Sequence, residues 1–319
     1  MAVINADANA TSNSLAFNAL IDTLNNGFAT GCVQPERHHH TMEKDNQATP
    51  ILLLMPAWSL PTEKTQYLGV KIVNIFPDNR LKNLPGLTST YILYNGETGE
   101  ELAILDGNTI TARRTAATSA LAARYLSRLD SKKLTVLGAG KVASLLPEAF
   151  SAVRPIEQVT IWNRTPQGAK LFAEQLEQKG FCVKIAHSVE EAVVDADIVT
   201  AATLSTEALI QRKWLKSDVH VDLIGSFAPH MREADDDLIK KAQLYIDTEE
   251  AIEEAGDFVQ PIKSGLLHKD EIKGTLAELA RGTVQVNRCE QDITLFKAVG
   301  SGLADLYAAK LCYETLMIR

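Results

Sequence analysis

The chain has 319 residues, 45% of them hydrophobic and 23% charged, which are ordinary values for a folded protein of one large or two medium domains. A net charge of −8 argues against a general nucleic-acid binder, which needs a basic face, so an anionic ligand must be attracted by a few local cations. Four widely spaced cysteines (Cys32, Cys182, Cys289, Cys312) form no CxxC pair and read as small buried hydrophobes in a reducing compartment.

The first twenty residues lack a basic start and a continuous apolar run, so no signal peptide is expected. No uncharged apolar stretch approaches the roughly 18 residues of a membrane span, and the cytosol is the expected compartment. PERHHHTM (35–42) sets Arg37 in front of His38, His39 and His40. Adjacent residues in an extended segment point to alternating sides, and no Cys or carboxylate cluster accompanies them, so no metal site is expected. A pocket wall, a proton path and a solvated run all stay open for the three histidines, and none is assigned a catalytic role.

From Pro50 to Leu105 the pattern favours strands. ILLLMPAW, YLGVKIVNIF, STYILYN and ELAILDG are apolar or β-prone runs separated by Pro, Gly and Asn turns, with NGETG (95–99) as a hairpin turn. This reads as an antiparallel meander. Near Thr111 the character changes: TARRTAATSALAARYLSRL has helical spacing and ends at Asp130. Strand and helix then alternate, through KLTVLGAG, the helix KVASLLPEAFSAV, QVTIWNRT, the helix QGAKLFAEQLEQKG, FCVKIA, a helix at VEEAVVDA, DIVTAAT, HVDLIGSF and AQLYID. That alternation implies parallel βαβ units in a doubly wound sheet. The acidic stretch DTEEAIEEAGD (247–257) reads as a solvated helix face. From Thr294 onward, Leu295, Val299, Leu303, Leu306 and Leu311 fall roughly on one helical face, so the tail is expected as a helix packing back on the first part. The fold class is therefore α/β, with a Rossmann sheet over 116–292 inserted in an α+β domain made of 1–115 and 293–319.

LGAGKVA (137–143) carries the strongest local signal. Gly138 and Gly140 follow an apolar strand, Lys141 and Val142 continue the turn, and Ala143 takes the third small position of G-x-G-x-x-A. Such a turn lets the backbone approach a pyrophosphate while the following helix offers free N–H groups. Strand, turn, helix and second strand come in the required order, so dinucleotide binding is expected; a tightly packed turn without ligand is the alternative. An NAD site usually ends its second strand with Asp or Glu, whereas this chain has Asn163, Arg164 and Thr165. Arg164 can pair with a 2′-phosphate, and Asn163 and Thr165 can donate to it, which favours NADPH with NADH still admissible. The alternative for Arg164 is a solvated surface turn.

PERHHH, LGVKIVNIFPDN, TARRTAATSALAARYL, LGAGKVA, WNRT, ATLSTEALI, GSFAPHMREAD and FKAVGSGLADL, taken in this order, resemble the ornithine cyclodeaminase/mu-crystallin family over the chain from about Pro35 onward. The resemblance implies a homodimer joined through its first domains, and hydride exchange between nicotinamide and a carbon bearing both nitrogen and a carboxylate. It also implies that Arg37 holds the substrate carboxylate, that Lys71 stands near the reacting carbon and that Arg114 completes the anion cradle, with Arg114 and Thr115 touching cofactor phosphate. Thr203 and Leu204 in ATLSTEALI, and Gly300 in KAVGSG toward the nicotinamide end, join the implied cofactor set. A lysine in an apolar strand such as LGVKIVNIF is costly unless paired, which favours a functional Lys71 over a snorkelling one.

One departure bears on the chemistry. Cyclodeaminases of the family carry an aspartate two residues after the glycine matching Gly225, and this chain has Phe227 there. A phenyl ring cannot hold an ammonium by charge, but it can pack against nicotinamide or an apolar substrate ring. The resulting expectation is an NADPH-preferring reductase that converts the cyclic imine Δ1-pyrroline-2-carboxylate to L-proline, with its six-membered homologue as a further candidate substrate and Lys71 as proton source. Another ketimine reductase or amino-acid dehydrogenase is the alternative, ahead of a cyclodeaminase or a ligand holder without catalysis. Neither nucleic acid nor membrane is an expected partner.

Overall fold

The computed structural model describes residues 2–43, 48–289 and 291–318, so Met1 and Arg319, the outer limits of the expected first domain, lie outside the described residues. The chain divides into two units, residues 1–114 with 301–319, and residues 115–300.

In the first unit β1 (Ile4–Ala6), α1 (Ala8–Ser14) and α2 (Phe17–Thr30) precede β2 (His38–Thr41), β3 (Ile51–Trp58), β4 (Tyr67–Ile75), β5 (Leu87–Asn95) and β6 (Glu101–Asp106). The sheet order is β1-β6-β5-β4-β3-β2, antiparallel from β2 to β6, with β1 parallel to β6. The strands expected between Pro50 and Leu105 are thus present as a meander. The strand and helices before Gly31 had no counterpart in the sequence reading. ANATSNS has no apolar stripe, and α1 starts because Asp7 accepts from the Ala10 amide at 2.8 Å.

Burial alternates along these strands with a period of two. Tyr67, Gly69, Lys71 and Val73 of β4 face inward onto a C-terminal helix, Gly302–Met317, on which α2 packs in turn. That helix is buried from Gly302 to Ala309 and apolar around its circumference, as suits a helix covered on more than one side. The opposite sheet face carries Leu52, Leu54, Pro56 and Trp58 on β3 and Leu68, Val70 and Ile72 on β4, all apolar and only partly covered.

The division between units falls inside α3 (Gly107–Leu126), after Arg114. The second unit continues with β7 (Lys133–Leu137), α4 (Leu146–Ser151), β8 (Gln158–Trp162), α5 (Pro166–Gln178), β9 (Cys182–Ile185), α6 (Val189–Val193) and β10 (Ile198–Ala201). After these come β11 (His220–Leu223), α7 (Asp236–Lys241), β12 (Gln243–Ile246), α8 (Glu250–Glu254), α9 (Gly256–Lys263), β13 (Ile272–Thr275), α10 (Leu276–Arg281) and β14 (Thr294–Lys297), and the C-terminal helix is α11. All eight strands are parallel in the order β13-β12-β14-β11-β10-β7-β8-β9. From β7 the chain goes outward to β8 and β9, then returns to β10 on the other side of β7. This is the expected doubly wound Rossmann arrangement, and the reversal leaves a crevice at the carboxyl ends of β7, β8 and β10.

Two expected elements differ. The helix read over KVASLLPEAFSAV is a single 3-10 turn at Ala143–Leu145 followed by the six-residue α4, because Pro147 lacks the N–H needed to carry a regular helix through from the glycine turn. The tail is not one helix from Thr294. Thr294–Lys297 is a strand between β11 and β12, Gly300 has φ of 85°, and α11 starts only after Ser301, whose side chain accepts from the Ala304 amide. The expected restart of the first domain at 293 is corrected to Ser301 by this strand pairing. A buried parallel strand is apolar throughout, so TLF and the following leucines mimic a helical spacing. Leu295→Ala is expected to cost about 2–5 kcal/mol in denaturant unfolding, as for other fully buried leucines. Leu311→Ala, at a partly exposed helix position, should cost distinctly less; equal losses would contradict the strand placement.

Candidate functional site

Lys71 sits on the inward face of β4 at 3% relative exposure, and its ammonium lies 2.6 Å from Asp305 Oδ2 on α11. The other carboxylate oxygen accepts from Arg114 Nε of α3 at 2.8 Å. Arg37, in the segment before β2, is close enough to act on the Lys71 charge. The structure therefore brings together Arg37, Lys71 and Arg114, the three cations singled out in the sequence, and adds an acid the sequence reading missed. Burial pulls the Lys71 pKa down to about 8; Asp305 opposes the fall, while Arg114 and Arg37 reinforce it. Burial alone would raise the Asp305 carboxyl, but Arg114 and Lys71 outweigh it and hold the group below the usual carboxylate range. The carboxylate therefore stays ionised, while Lys71, buried beside two guanidiniums, gives up its proton more readily than an exposed lysine.

Tyr91 of β5 lies opposite Lys71 in register. Its ring crosses Gly69, where an added Cβ would come within 2.2 Å of the hydroxyl. That hydroxyl is buried without a hydrogen-bond partner and is held protonated far up the scale by burial and by the Asp305 charge. His38, His39 and His40 are exposed on β2, with the His38 and His40 rings 6.4 Å apart on one side and His39 on the other. Among the described residues no group of three or more His, Cys, Asp or Glu side chains could hold a metal ion.

In the second unit a cavity of about 250 Å³ opens at the carboxyl ends of β7, β8 and β10 and is lined by Gly138, Gly140, Trp162, Asn163, Arg164, Thr203 and Leu204. Gly138 has φ of 109°, and a Cβ there would meet the Ala202 carbonyl oxygen at 2.6 Å. At Gly140, which lines the same cavity, a Cβ would meet no atom within 4 Å. Backbone that bare, at a sheet's reversal point, fits a dinucleotide pyrophosphate. Of the expected cofactor residues, Lys141 and Arg164 are exposed, Val142 is half-buried and Ala143 is buried, filling the tight packing position. The Asn163 amide donates to Thr165 Oγ1 at 2.8 Å and to the Thr165 carbonyl at 3.1 Å, so it is occupied within the turn rather than presented outward. Thr115 is buried in α3, Phe227 is 51% exposed after β11, and Gly300 is buried, its N–H donating to Asp247 at 2.7 Å.

Sequence reasoning also missed the acids behind this cavity. Glu233, fully buried, accepts from the Thr203 amide and hydroxyl with Oε1 (2.8 and 2.7 Å) and from the Gly225 amide with Oε2 (2.8 Å), tying the loop after β10 to the loop after β11. Its burial pushes the carboxyl up to about 7. Asp257 accepts from the Glu233 and Ala234 amides, and Lys297, fully buried, lies 3.7 Å from its other oxygen. The stretch 247–257 is therefore not simply a solvated face: Glu249, Glu250 and Glu253 are exposed, but Asp247 and Asp257 at its ends are buried acceptors for backbone N–H groups.

The ornithine cyclodeaminase/mu-crystallin family model matches residues 2–318. The chain belongs to this family. A Delta(1)-pyrroline-2-carboxylate reductase of Colwellia psychrerythraea is 34% identical over 308 residues, covering 95% of this chain and 96% of its own. The structure of Thermococcus litoralis Delta(1)-pyrroline-2-carboxylate reductase, in complex with NADH and L-proline, superposes with a TM-score of 0.91 at 31% identity, covering 99% of this chain and 98% of that one. An archaeal alanine dehydrogenase dimer with bound NAD gives a TM-score of 0.90 at 25% identity, covering 100% and 97%.

For a cyclodeaminase/mu-crystallin family chain, the Glu233 bridge has a direct test. Glutamine offers one acceptor oxygen where glutamate offers two, so in Glu233→Gln either Thr203 or Gly225 must face an NH2 group. The variant is expected to lose about 1–3 kcal/mol in denaturant unfolding and to bind dinucleotide more weakly in a fluorescence titration.

Proposed function

We propose that this chain is an NAD(P)H-dependent reductase of cyclic α-imino acids, taking Δ1-pyrroline-2-carboxylate to L-proline and accepting the six-membered homologue. The observation that carries this reading is the buried Lys71, held by Asp305 beside Arg114 and within reach of Arg37. Three cations beside one acid suit a substrate carboxylate, which adds negative charge next to Lys71. The likeness to the T. litoralis reductase, whose structure contains NADH and L-proline, supports the same substrate class.

When bound, the reduced nicotinamide supplies a hydride. Arg37 and Arg114 hold the substrate carboxylate, and a guanidinium fork fixes it in one orientation so that one face of the C=N bond is presented. Lys71 gives a proton to the imine nitrogen, directly or through a water, which makes the carbon electrophilic enough to accept the hydride. The overall change is imine plus reduced cofactor plus one proton to amine plus oxidised cofactor. Gly138, Gly140 and Thr203 form the nucleotide cradle, and Arg164, exposed at its rim, would pair with a 2′-phosphate, which favours NADPH. The apolar outer face of the first unit's sheet is the surface we assign to a second copy of the chain, in keeping with the alanine dehydrogenase dimer. The free thiols of Cys32, Cys182, Cys289 and Cys312 suit a reducing compartment such as the cytosol.

Steady-state assays with pyrroline-2-carboxylate are expected to show NADPH oxidation, and ornithine alone none; ornithine turnover without added imine would overturn the assignment. Lys71→Met should lower kcat by about a hundredfold or more while dinucleotide binding persists. The donor is the ammonium, so wild-type reduction should be fastest below, and decline through, a pH of about 8, the value to which burial brings Lys71. Arg164→Ala is expected to raise KM for NADPH by about tenfold and to leave KM for NADH nearly unchanged. Equal effects on the two cofactors would remove Arg164 from phosphate recognition.

A further inference from the structure

Asp305, within FKAVGSGLADL, was assigned no role in the sequence, yet it touches two of the three side chains expected at the substrate. We propose that Asp305 is a positioning residue of the imine-reducing site: its two carboxylate oxygens fix the Arg114 guanidinium and keep the Lys71 ammonium charged, so that one buried acid sets both where the substrate carboxylate docks and when a proton is available. This deepens the reductase reading and rests on it for the identity of the substrate.

The geometry divides the work between the two oxygens. Oδ2 takes Lys71 Nζ at 2.6 Å and Oδ1 takes Arg114 Nε at 2.8 Å, so neither cation competes with the other. These contacts join β4, the part of α3 that ends at Arg114, and α11, all within the first unit. Asp305 stands in the first turn of the 16-residue α11, behind a Ser301 cap, where the helix dipole favours a negative charge. Its side chain is 1% exposed, so water screens neither pair. The groups facing Lys71 are Asp305 from α11, Arg114 from α3, Arg37 from the segment before β2 and, across the strand, Tyr91. Tyr91 stays protonated and adds no charge. Of these, Asp305 carries the negative charge that acts on Lys71, and without it the two guanidiniums would press harder on the ammonium.

The test measures Lys71 itself as well as turnover. In protein labelled with ¹³C at the lysine ε-carbon, the signal absent from Lys71→Met identifies the residue, and its titration is followed in wild type, Asp305→Asn and Asp305→Glu. In Asp305→Asn the Lys71 midpoint is expected to fall by about one pH unit or more, the alkaline limb of imine reduction moving with it, and KM for pyrroline-2-carboxylate to rise about tenfold. NADPH affinity, read by its fluorescence, should change by less than about twofold, since the nucleotide cradle belongs to the other unit. In Asp305→Glu the charge is kept but displaced by a methylene, so the midpoint should stay near wild type while KM still rises. A folded Asp305→Asn protein whose Lys71 midpoint and pH limb match wild type overturns the proposal. If that variant does not fold, an Asp305→Glu protein with wild-type KM overturns it instead. Should wild type reduce no cyclic imine while the Lys71 midpoint still falls in Asp305→Asn, the reductase reading fails and the control of Lys71 by Asp305 stands.

Discussion

One carboxylate, closed off from water between a lysine and an arginine, constrains the rest of the first unit. Lys71 interrupts the inward face of β4, where Tyr67 and Val73 follow the hydrophobic alternation. A lone ammonium there would be strongly unfavourable, and removing one partner from a buried pair typically costs about 3–5 kcal/mol. The position is tolerated because α11, otherwise apolar through its buried turns, carries Asp305 to it from 234 residues away. The same acid reaches Arg114 across 191 residues, so β4, α3 and α11 must settle in mutual register for both of its contacts to form. Such a cluster is weak evidence for stability and good evidence for specificity of arrangement.

The second unit uses buried acids differently. Parallel strands end in loops whose N–H groups have no partner within the sheet. Here carboxylates take them: Glu233 those of Thr203 and Gly225, Asp247 those of Val299 and Gly300, and Asp257 those of Glu233 and Ala234. Each acid thereby fixes a loop at the carboxyl edge of the sheet, the edge on which doubly wound sheets hold their ligands. Lys297, fully buried at the end of β14, balances part of the accumulated charge from 3.7 Å without a hydrogen bond of its own. Loops held by charge-assisted bonds are ordered before a nucleotide arrives, which lowers the entropy lost on binding.

Much of this was legible from local pattern. The alternation of strand and helix, and the glycine turn after an apolar strand, are short-range signals, and both units' sheets follow them. Arg37 and Arg114 stood out through the family resemblance, and Lys71 also because an ammonium in an apolar strand has no local explanation. What escaped was set by distant partners. Asp305 in GLADLYAAKL looks like an ordinary helix acid until β4 and α3 are placed beside it. Glu233, Asp247 and Asp257 lie in polar or acidic stretches that read as surface, and only the fold shows which of their neighbours point outward and which acids turn in toward backbone amides. The tail misled for the opposite reason: an all-apolar strand followed by an apolar helix leaves no polar side to separate period two from period 3.6.

The balance of charge narrows the chemistry in a way that family membership alone does not. Among the groups acting on Lys71 there are two guanidiniums and one carboxylate, so the cluster favours a ligand that brings negative charge and disfavours one that brings an additional cation. A cyclic imino acid has a carboxylate and a ring nitrogen that needs only one proton. Ornithine has the same carboxylate with a second ammonium on its side chain, and that ammonium requires an acid. At the position where a cyclodeaminase supplies one, this chain presents the half-exposed phenyl ring of Phe227. A ring there supplies no carboxylate to pair with an ammonium and offers contact area to a flat apolar surface. Under the proposed reading each feature separately counts against an open-chain diamine, the cluster by repulsion and Phe227 by supplying no carboxylate.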